Sequence, residues 1–278
     1  MCYDINNDST QNVHDEGEKV AMETNVHSKK QLKEALICLG IKPGDKVLIH
    51  SSYKSLGGIE EGAAGFFEAV MDLLGTEGTL ILPTLTFRPV YETKFFDVRE
   101  TPSCVGYLTE YFRTQVEGVV RSLHPTHSCA VWGKDAPAFV ENHEKDDTPV
   151  GAHSPIARLP LAGGKILMLG CSADHNTSLH GVEEAGGAPY VLNKNGEPVC
   201  YTVRDAQGRE FVQKVYRHTI GPRYAQRYAR VIPLLDQDEV RMGKVLDADC
   251  VLMSAPAVWK KGVEMLAKEP YYFVEPIK

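Results

Sequence analysis

Residues 174–184 carry the densest set of side chains that could take part in catalysis. In order they are Asp174, His175, Asn176, Thr177, Ser178, Leu179, His180, Gly181, Val182, Glu183 and Glu184. In a helix, residues three and four positions before and after His180 share its face; these are Asn176, Thr177, Glu183 and Glu184. An imidazole beside a carboxylate can remove a proton from a weak nucleophile near neutral pH. We therefore predict a catalytic group in which His180 is the base, Glu183 holds it, and Asn176 and Thr177 lie alongside.

Three other interpretations of this segment remain open. It is also compatible with a solvated first turn, capped by Asn or Thr, with the glutamates near the positive end of the helix dipole. His180-x-x-Glu183 contains two possible metal ligands, but it occurs once, without the second carboxylate motif of a two-metal bundle site, so we predict no metal. Cys171 is a possible nucleophile. It directly follows an apolar strand, which favours a buried, inert thiol.

Residues 49–58 form a second candidate segment, a strand followed by a loop of small residues that leads into a helix. Its sequence is Ile49-His50-Ser51-Ser52-Tyr53-Lys54-Ser55-Leu56-Gly57-Gly58. Such loops expose backbone N–H groups that can cradle a phosphate. The loop is neither a P-loop nor a GxGxxG motif, and Glu60 and Glu61 oppose an anion on the helix axis. On the residues alone, an ordinary strand-to-helix connection is the favoured alternative.

Residues 121–128 form a third candidate segment just before a predicted strand. They read Arg121-Ser122-Leu123-His124-Pro125-Thr126-His127-Ser128. Arg121 is a possible phosphate ligand, whereas nearby backbone groups can satisfy both imidazoles. We therefore interpret His124 and His127, on these residues alone, as structural histidines.

Alternating strands and helices must position these segments. Ser28 and Gln31 form a capping-box signature for a first helix, and another helix is predicted from Glu60 to Gly75. Further helices are predicted at residues 105–114 and 256–268, and strands at residues 46–50, 79–82, 128–131, 165–169 and 250–253. An Asn195-Gly196 turn and the β-prone residues 200–203 and 210–215 predict a hairpin or a small antiparallel sheet. The predicted class is α/β, with a central mixed, largely parallel sheet flanked by helices and a small antiparallel β insertion near residues 190–216.

Composition limits the possible partners. The 278 residues include 30 Lys and Arg against 37 Asp and Glu, a net charge of −7, which argues against a nucleic-acid partner and is compatible with a cationic small molecule. The seven widely spaced cysteines contain no CxxC pair and indicate reduced thiols in the cytoplasm. Residues 1–26 lack an apolar signal-peptide core and are predicted to be a disordered arm before a single domain over residues 27–278. No apolar run of about 18 residues occurs, so we expect no membrane association.

Taken together and in order, these segments resemble the aminoglycoside 3-N-acetyltransferase family, also called the antibiotic N-acetyltransferases. The resemblance is clear over residues 32–190 and looser beyond. The matching pieces are His50-Ser51-Ser52, Ser55-Leu56-Gly57, Leu82-Pro83-Thr84-Leu85-Thr86-Phe87, Arg121-Ser122-x-x-Pro125-x-x-Ser128, Ser154-Pro155, Arg158-Leu159 and Asn176-Thr177-Ser178-Leu179-His180-x-x-Glu183. Gly181 stands where the family commonly has Leu, a departure that affects helix packing more than chemistry.

The resemblance implies acetyl transfer from acetyl-coenzyme A to an amine of an aminoglycoside, and with it antibiotic resistance, without a metal or a covalent enzyme intermediate. It implies that His180 and Glu183 activate the amine. The predicted cofactor-binding residues are Ser51, Ser52, Ser55, Leu56, Gly57, Thr84, Arg121, Ser122 and His124; of these, the resemblance implies the loop Ser55-Leu56-Gly57 and the region Arg121-Ser122. The predicted substrate-binding residues are Phe87, Asp147, Asp174 and Glu184. A homodimer is compatible with it. Two alternatives stay open: another amine acceptor, such as a natural-product intermediate, or a non-catalytic coenzyme A-binding protein.

Overall fold

The computed structural model describes residues 26–193, 196–221 and 223–277. The predicted N-terminal arm therefore lies outside the described residues, except for Val26, which begins a strand. The helices are α1 (Lys29–Leu39), α2 (Gly62–Leu74), α3 (Phe87–Thr93), α4 (Tyr107–Gln115), α5 (Ala136–Val140), α6 (Pro155–Leu161), α7 (Ser178–Ala185) and α8 (Ala255–Lys268). The strands are β1 (Val26–His27), β2 (Lys46–Ser51), β3 (Gly58–Ile59), β4 (Thr79–Pro83), β5 (Phe95–Asp97), β6 (Val120–Arg121), β7 (Cys129–Gly133), β8 (Lys165–Leu169), β9 (Val199–Arg204), β10 (Glu210–Val215), β11 (Tyr224–Gln226), β12 (Val240–Val245), β13 (Ala248–Ser254) and β14 (Val274–Pro276).

The main sheet has the strand order β12-β13-β8-β2-β4-β7-β6. The central strand β2 pairs in parallel with β8 and β4, whereas the flanking pairs are antiparallel. The predicted α/β class with a mixed central sheet is confirmed. Parallel pairing is confined to the three central strands, because β12 with β13 and β6 with β7 are antiparallel pairs of consecutive strands at the two edges.

The two faces of the sheet are both buried, which explains why its strands read as continuous apolar runs. Along β8, Ile166 and Met168 pack in one core cluster, and Leu167 and Leu169 pack in the other. The first cluster includes apolar residues of α6, α7 and α8. The second includes apolar residues of α1, α2 and α4. The sheet therefore lies between two helical layers, and the helix that carries His180 belongs to the first.

The first helix forms for the reason that the sequence predicts. The side chain of Ser28 accepts a hydrogen bond from the backbone of Gln31, and the Gln31 side chain accepts one from the Ser28 N–H in return. This capping box satisfies two N–H groups that a helix start otherwise leaves unpaired. Leu32, Leu36 and Leu39 then face the core.

A smaller sheet stands beside the main one. Strands β9 and β10 form the predicted antiparallel pair, and β5 adds to β9 in parallel. The Asn195-Gly196 turn lies partly outside the described residues, and the connection between β9 and β10 is residues 205–209 instead. Asp205 organises that connection, because its side chain accepts hydrogen bonds from the backbone N–H groups of Gln207 and Arg209.

The carboxyl ends of β2 and β8 meet at one edge of the sheet. Ser51 and Leu169 are register partners, and the N–H of Ser52 donates to the carbonyl of Leu169 at 2.9 Å. The loop after β2 and the segment that leads from β8 into α7 therefore start side by side. This is the edge at which open α/β sheets place their binding sites.

Candidate active site

The segment from β8 into α7 places the predicted catalytic residues, but not all on one helix. Ala173–His175 form a short 3₁₀ turn, and α7 begins at Ser178 after the cap residue Thr177. Asn176 precedes the helix and is buried, and its Oδ1 accepts from the Ser178 N–H at 3.0 Å. The prediction that Asn176 shares a helix face with His180 is therefore wrong. Its amide oxygen instead pairs one of the N–H groups that the start of the helix leaves without an intrahelical partner.

His180 and Glu183 are joined through a residue that the sequence analysis did not single out. The Tyr228 hydroxyl donates to Oε2 of Glu183 at 2.7 Å and lies 2.8 Å from Nδ1 of His180. Oε2 of Glu183 also lies 3.4 Å from that Nδ1 directly. The Glu183 side chain is fully buried, whereas 14% of the His180 side chain is exposed. The imidazole is therefore the accessible end of a buried hydrogen-bonded chain.

This hydrogen-bond pattern assigns the tautomer of His180. Because the Tyr228 hydrogen points to Glu183, the phenolic oxygen is left to accept, and Nδ1 of His180 supplies the hydrogen. The Nε2 atom then carries the free lone pair. The Gln226 amide nitrogen lies 3.2 Å from that Nε2, so it is the present donor to the basic nitrogen.

Tyr190 completes the surroundings of the buried carboxylate. Its hydroxyl donates to Oε1 of Glu183 at 2.8 Å, so each oxygen of Glu183 receives one phenolic hydrogen. Burial first, and then the negative charge of Glu183, raise the pKa of Tyr190 and of Tyr228 well above that of an exposed tyrosine. Both phenols therefore stay protonated and keep donating through the alkaline range.

Two further imidazoles lie against His180. The His218 ring is stacked on it with centroids 4.4 Å apart, and the His127 ring lies edge-on at 6.2 Å. Burial, followed by repulsion from neighbouring imidazoles, lowers the pKa of both His127 and His218 well below the ordinary histidine value. Both rings are therefore neutral near pH 7.

The loop after β2 lies next to the segment that leads from β8 into α7. The Ser55 hydroxyl donates to the carbonyl of Gly170 at 3.0 Å, and its oxygen lies 2.8 Å from Oγ of Ser52, which ties the loop to the end of β8. The side chain of Leu56 is fully buried and packs in the core, which holds the loop against the rest of the protein. Gly57 has φ +80°, and a Cβ there would lie 2.4 Å from a carboxylate oxygen of Asp247.

Arg121 does not face this loop. Its Nε donates to the hydroxyls of Thr84 and Ser128, and its terminal nitrogens donate to the carbonyls of Thr84, Val98 and Thr101. Burial lowers the pKa of Arg121 to about 9, which leaves the guanidinium charged at pH 7. The guanidinium of Arg121 thus links β6 to the loops after β4 and β5. These contacts do not support the predicted binding of a cofactor phosphate by Arg121.

The other cofactor-binding candidates near β6 are also structural. Thr84 and Ser122 are buried, and the hydroxyl of Ser122 accepts from the N–H of Cys129 at 2.9 Å. His124 is fully buried, and its Nδ1 accepts from the backbone of Thr126 and His127. Burial lowers the pKa of His124 to about 3. The interpretation of His124 as a structural histidine agrees with these contacts, and its assignment to cofactor binding does not.

The four substrate-binding candidates have different surroundings. Asp174 accepts from the N–H of Ala229 at 2.9 Å, so it fastens the 3₁₀ segment Tyr228–Leu234 next to α7. The half-buried ring of Phe87 lies 6.4 Å from that of His127, one of the two imidazoles that lie against His180. Asp147 is exposed. Glu184 is nearly buried, and its Oε1 accepts from the N–H of Val150 and contacts Nε2 of His218 at 2.6 Å.

Asp147 and Glu184 also line a cavity beside α7 with a volume of about 780 Å³. Acidic residues on its wall include Asp146, and apolar residues include Trp259 of α8. His180 does not line this cavity. The cavity lies on the side of α7 that carries Gly181 and Glu184, whereas Glu183 turns toward the tyrosines.

Two simpler chemistries have little support from these contacts. Burial raises the pKa of the Cys171 thiol to about 11, so it is not a thiolate at neutral pH. Within residues 26–193, 196–221 and 223–277, no group of three His, Cys, Asp or Glu side chains is arranged to hold a metal ion.

In the same described ranges, no helix is long and apolar enough to cross a lipid bilayer.

Similarity to known proteins agrees with this geometry. The family profile described as aminoglycoside 3-N-acetyltransferase matches residues 48–267. Aminoglycoside N(3)-acetyltransferase IV of Salmonella is 33% identical over 184 residues, which cover 64% of this chain and 66% of that one.

Solved structures share the fold. A variant of aminoglycoside acetyltransferase AAC(3)-IVa in complex with a gentamicin superposes with a TM-score of 0.78 at 26% identity, covering 92% of this chain and 94% of that one. The binary complex of AAC-IIIb with CoASH has a TM-score of 0.75 at 24% identity, covering 87% of this chain and 97% of that one. With the profile matching most of the sequence, including both strand-end segments and α7, this chain belongs to the aminoglycoside 3-N-acetyltransferase family.

Proposed function

We propose that this protein transfers an acetyl group from acetyl-coenzyme A to an amine of an aminoglycoside, at the 3-N position of the deoxystreptamine ring. The observation that carries the proposal is the Glu183–Tyr228–His180 chain, which leaves Nε2 of His180 as the basic nitrogen at the accessible end, where the Gln226 amide is its hydrogen-bond partner. Family membership and a relative in complex with a gentamicin support the acceptor class.

The reaction needs a base because the amine of a sugar is mostly protonated near pH 7, and only its neutral form can attack a thioester carbonyl. The ammonium form first loses one proton to solvent, and Nε2 of His180 takes a second proton from the amine nitrogen as that nitrogen bonds to the carbonyl carbon. When the C–S bond breaks, the coenzyme A thiolate leaves with the bonding electrons and receives a proton from the imidazolium. Tyr228 and Glu183 stabilise that imidazolium between the two steps.

Acetyl-coenzyme A is proposed to bind at the loop Ser51, Ser52, Ser55, Leu56 and Gly57, which lies against the end of β8. Membership of an acetyltransferase family supports this co-substrate, and a protein of the same fold forms a complex with CoASH. The tight Ser55–Gly170 contact brings the loop close to the start of the catalytic segment, so a thioester held there lies on the same sheet edge as His180. Hydroxyl or backbone donors near Thr177 and Ser51 are the proposed stabilisers of the oxyanion.

For the acceptor, we propose that carboxylates near α7 bind its ammonium groups. Asp147 is the candidate with its side chain most available, because it is exposed, whereas Asp174 and Glu184 already accept hydrogen bonds within the protein. Phe87 lies beside His127 and is proposed to pack against the sugar rings.

Release of the coenzyme A thiol in the presence of acetyl-coenzyme A and gentamicin tests the proposal. We expect thiol release that depends on both compounds, with the 3-N-acetylated drug as product. Acetyl-coenzyme A alone should raise the melting temperature, since a ligand that binds only the native state stabilises it. A rise in melting temperature without thiol release in the gentamicin assay would favour another amine acceptor. An unchanged melting temperature at millimolar acetyl-coenzyme A would contradict the acetyltransferase proposal.

A further inference from the structure

A second imidazole–carboxylate pair lies directly beside the first. Nε2 of His218 is 2.6 Å from Oε1 of Glu184, and the His218 ring is stacked on that of His180 with planes inclined by 30°. The exposed fractions of the two side chains are 10% and 7%. The pair is therefore nearly withdrawn from water, and it covers one face of the proposed base.

Both carboxylates come from α7, but they turn in opposite directions. Glu183 faces the two tyrosines, and Glu184, one residue further, faces His218 and also accepts the N–H of Val150 at 3.0 Å. Glu184 is thus held from two sides. Because the neutral His218 ring donates from Nε2 to this carboxylate, its hydrogen bond fixes the plane that stacks on His180.

Protonation of the stacked rings is coupled by charge. Two imidazolium ions with centroids 4.4 Å apart repel each other strongly in a buried site, so only one ring can carry the proton at a time. The titratable groups that face His180 are Glu183 on α7, Tyr228 on the 3₁₀ segment, His218 and His127 on loops, and His50 on β2. Glu184 adds a second negative charge behind the stacked ring.

We propose that His218 and Glu184 form a positioning pair for the reaction. His218 holds the His180 ring in the orientation needed for catalysis, and the negative charge of Glu184 favours the protonated form of His180. The inference rests on the proposed function for its role in turnover. The pairing itself is a property of the free protein and can be measured without substrate. No contact with the substrate is assigned to His218, since it acts through His180.

The first test follows the imidazole resonances of His180 by NMR as the pH is varied, with His180→Gln used to assign the signal. In Glu184→Gln, the midpoint of that titration should fall by about one pH unit, because a nearby negative charge is removed. The acidic limb of the pH–kcat profile should move in the same direction. Asp236→Asn, which removes an exposed carboxylate paired with Lys261, is the matched control and should leave both unchanged.

The second test separates the ring from its hydrogen bond. His218→Ala removes the stacked ring and should lower kcat by about 10–100-fold above the acidic limb, because a misplaced catalytic group loses rate steeply. His218→Phe keeps a ring over His180 but loses the hydrogen bond to Glu184 that fixes the ring plane, so it should recover only part of kcat. A partial recovery of kcat at an unchanged melting temperature is not expected of a residue that only supports the fold.

An unmoved midpoint in Glu184→Gln, or wild-type kcat in His218→Ala, would overturn the inference. If His218→Ala does not fold, the Glu184→Gln titration decides the question alone. A shifted midpoint in a protein without acetyl transfer would support the pairing and contradict the proposed function, so the two failures are distinguishable.

Discussion

Tyr228, 48 residues beyond His180 in the chain, places its hydroxyl 2.8 Å from Nδ1 of that imidazole. The hydrogen of the hydroxyl points to the buried carboxylate of Glu183, so the oxygen must accept from the ring. Burial raises the pKa of this phenol well above that of an exposed tyrosine, so it remains a donor to Glu183 at neutral pH. The tyrosine therefore sets which imidazole nitrogen is basic.

Tyr228→Phe should lower kcat on the order of tenfold, less than the about 10²–10⁴ expected for loss of the base itself. The ring and its packing remain, but Nδ1 of His180 loses its acceptor and Glu183 loses one of its two phenolic donors. The measurement is kcat with acetyl-coenzyme A and gentamicin, with the melting temperature as control for folding. An unchanged kcat would show that the direct 3.4 Å approach of Glu183 to His180 is sufficient.

His180→Ala should remove a factor of about 10²–10⁴ from kcat while leaving acetyl-coenzyme A binding nearly intact. Glu183→Gln should cost less, and it should move the acidic limb of the pH–rate profile to lower pH, because the imidazolium loses a negative neighbour. If these residues were only a solvated helix start, both changes would cost about 1 kcal/mol or less of stability and spare turnover. Full pH–rate profiles and chemical unfolding of both variants decide between the two interpretations.

The part of the site on α7 could be predicted because its residues are close in sequence. Spacing of three residues was enough to pair His180 with Glu183. Tyr228 and Gln226 could not be found in this way, because β11 and the following 3₁₀ segment are brought to α7 by tertiary packing and carry no chemical motif. His218 lies before β11, opposite Leu192, and it also reaches α7 only through tertiary packing. Family resemblance did not supply them either, since it was clear only to about residue 190.

The helices and strands that could be predicted from the sequence are those whose pattern lies in neighbouring residues. The capping box at Ser28 and the apolar run of β8 are such cases, and both elements begin where they were expected. The antiparallel edges of the sheet and the pairing of β5 with β9 depend on contacts distant in sequence, which periodicity does not report. The contacts of Arg121 could not be predicted for a related reason: its acceptors are mainly backbone carbonyls, which the spacing of side chains does not report.

The buried histidines should make the protein acid-sensitive. Burial lowers the pKa of His50 and His124 to about 3, and it also lowers those of His127, His143 and His218. These rings stay neutral when folded but bind protons once unfolded, below about pH 6.5. The stabilisation is complete above that pH and is lost as the pH falls from about 6.5 toward 3. Each such ring adds about 1.4 kcal/mol per pH unit to the slope within this window.

Urea unfolding at several pH values between 7.5 and 5 should measure that slope. In His124→Asn, the slope of the unfolding free energy against pH should correspond to the uptake of one proton fewer on unfolding. The reason is that an amide oxygen can accept the same backbone hydrogens without titrating. His175→Asn, at an exposed ring, is the matched control and should leave the slope unchanged. A His124→Asn slope equal to that of the wild type would contradict the prediction.

Asp147→Asn tests the proposed acceptor site. Because this carboxylate is exposed, its interaction with an ammonium group should be worth about 0.2–1 kcal/mol, so KM for gentamicin should rise up to about fivefold with kcat unchanged. The difference from wild type should shrink at high ionic strength, since salt screens exposed charges. Asp236→Asn is the control for the loss of a surface charge. Equal KM values for Asp147→Asn and wild type at low salt would remove Asp147 from the acceptor site.

The departure from the family at Gly181 can be tested through stability. A Cβ at this position would lie 2.6 Å from the Trp259 ring and 2.7 Å from a methyl group of Val150, distances that real side chains do not tolerate. Glycine within an exposed helix normally costs about 1 kcal/mol relative to alanine, so Gly181→Ala would stabilise the protein if the space were open. With the clash we expect a net loss of about 1–3 kcal/mol instead.

Trp259→Leu should relieve much of that loss, so the double variant should be more stable than the sum of the two single changes predicts. Gly221→Ala is the matched control, since nothing lies within 4 Å of a Cβ added there, and it should show no such coupling. The measurement is the free energy of unfolding in urea for the four members of the cycle. Additive effects of Gly181→Ala and Trp259→Leu would mean that the Trp259 ring does not require glycine beside the proposed catalytic base.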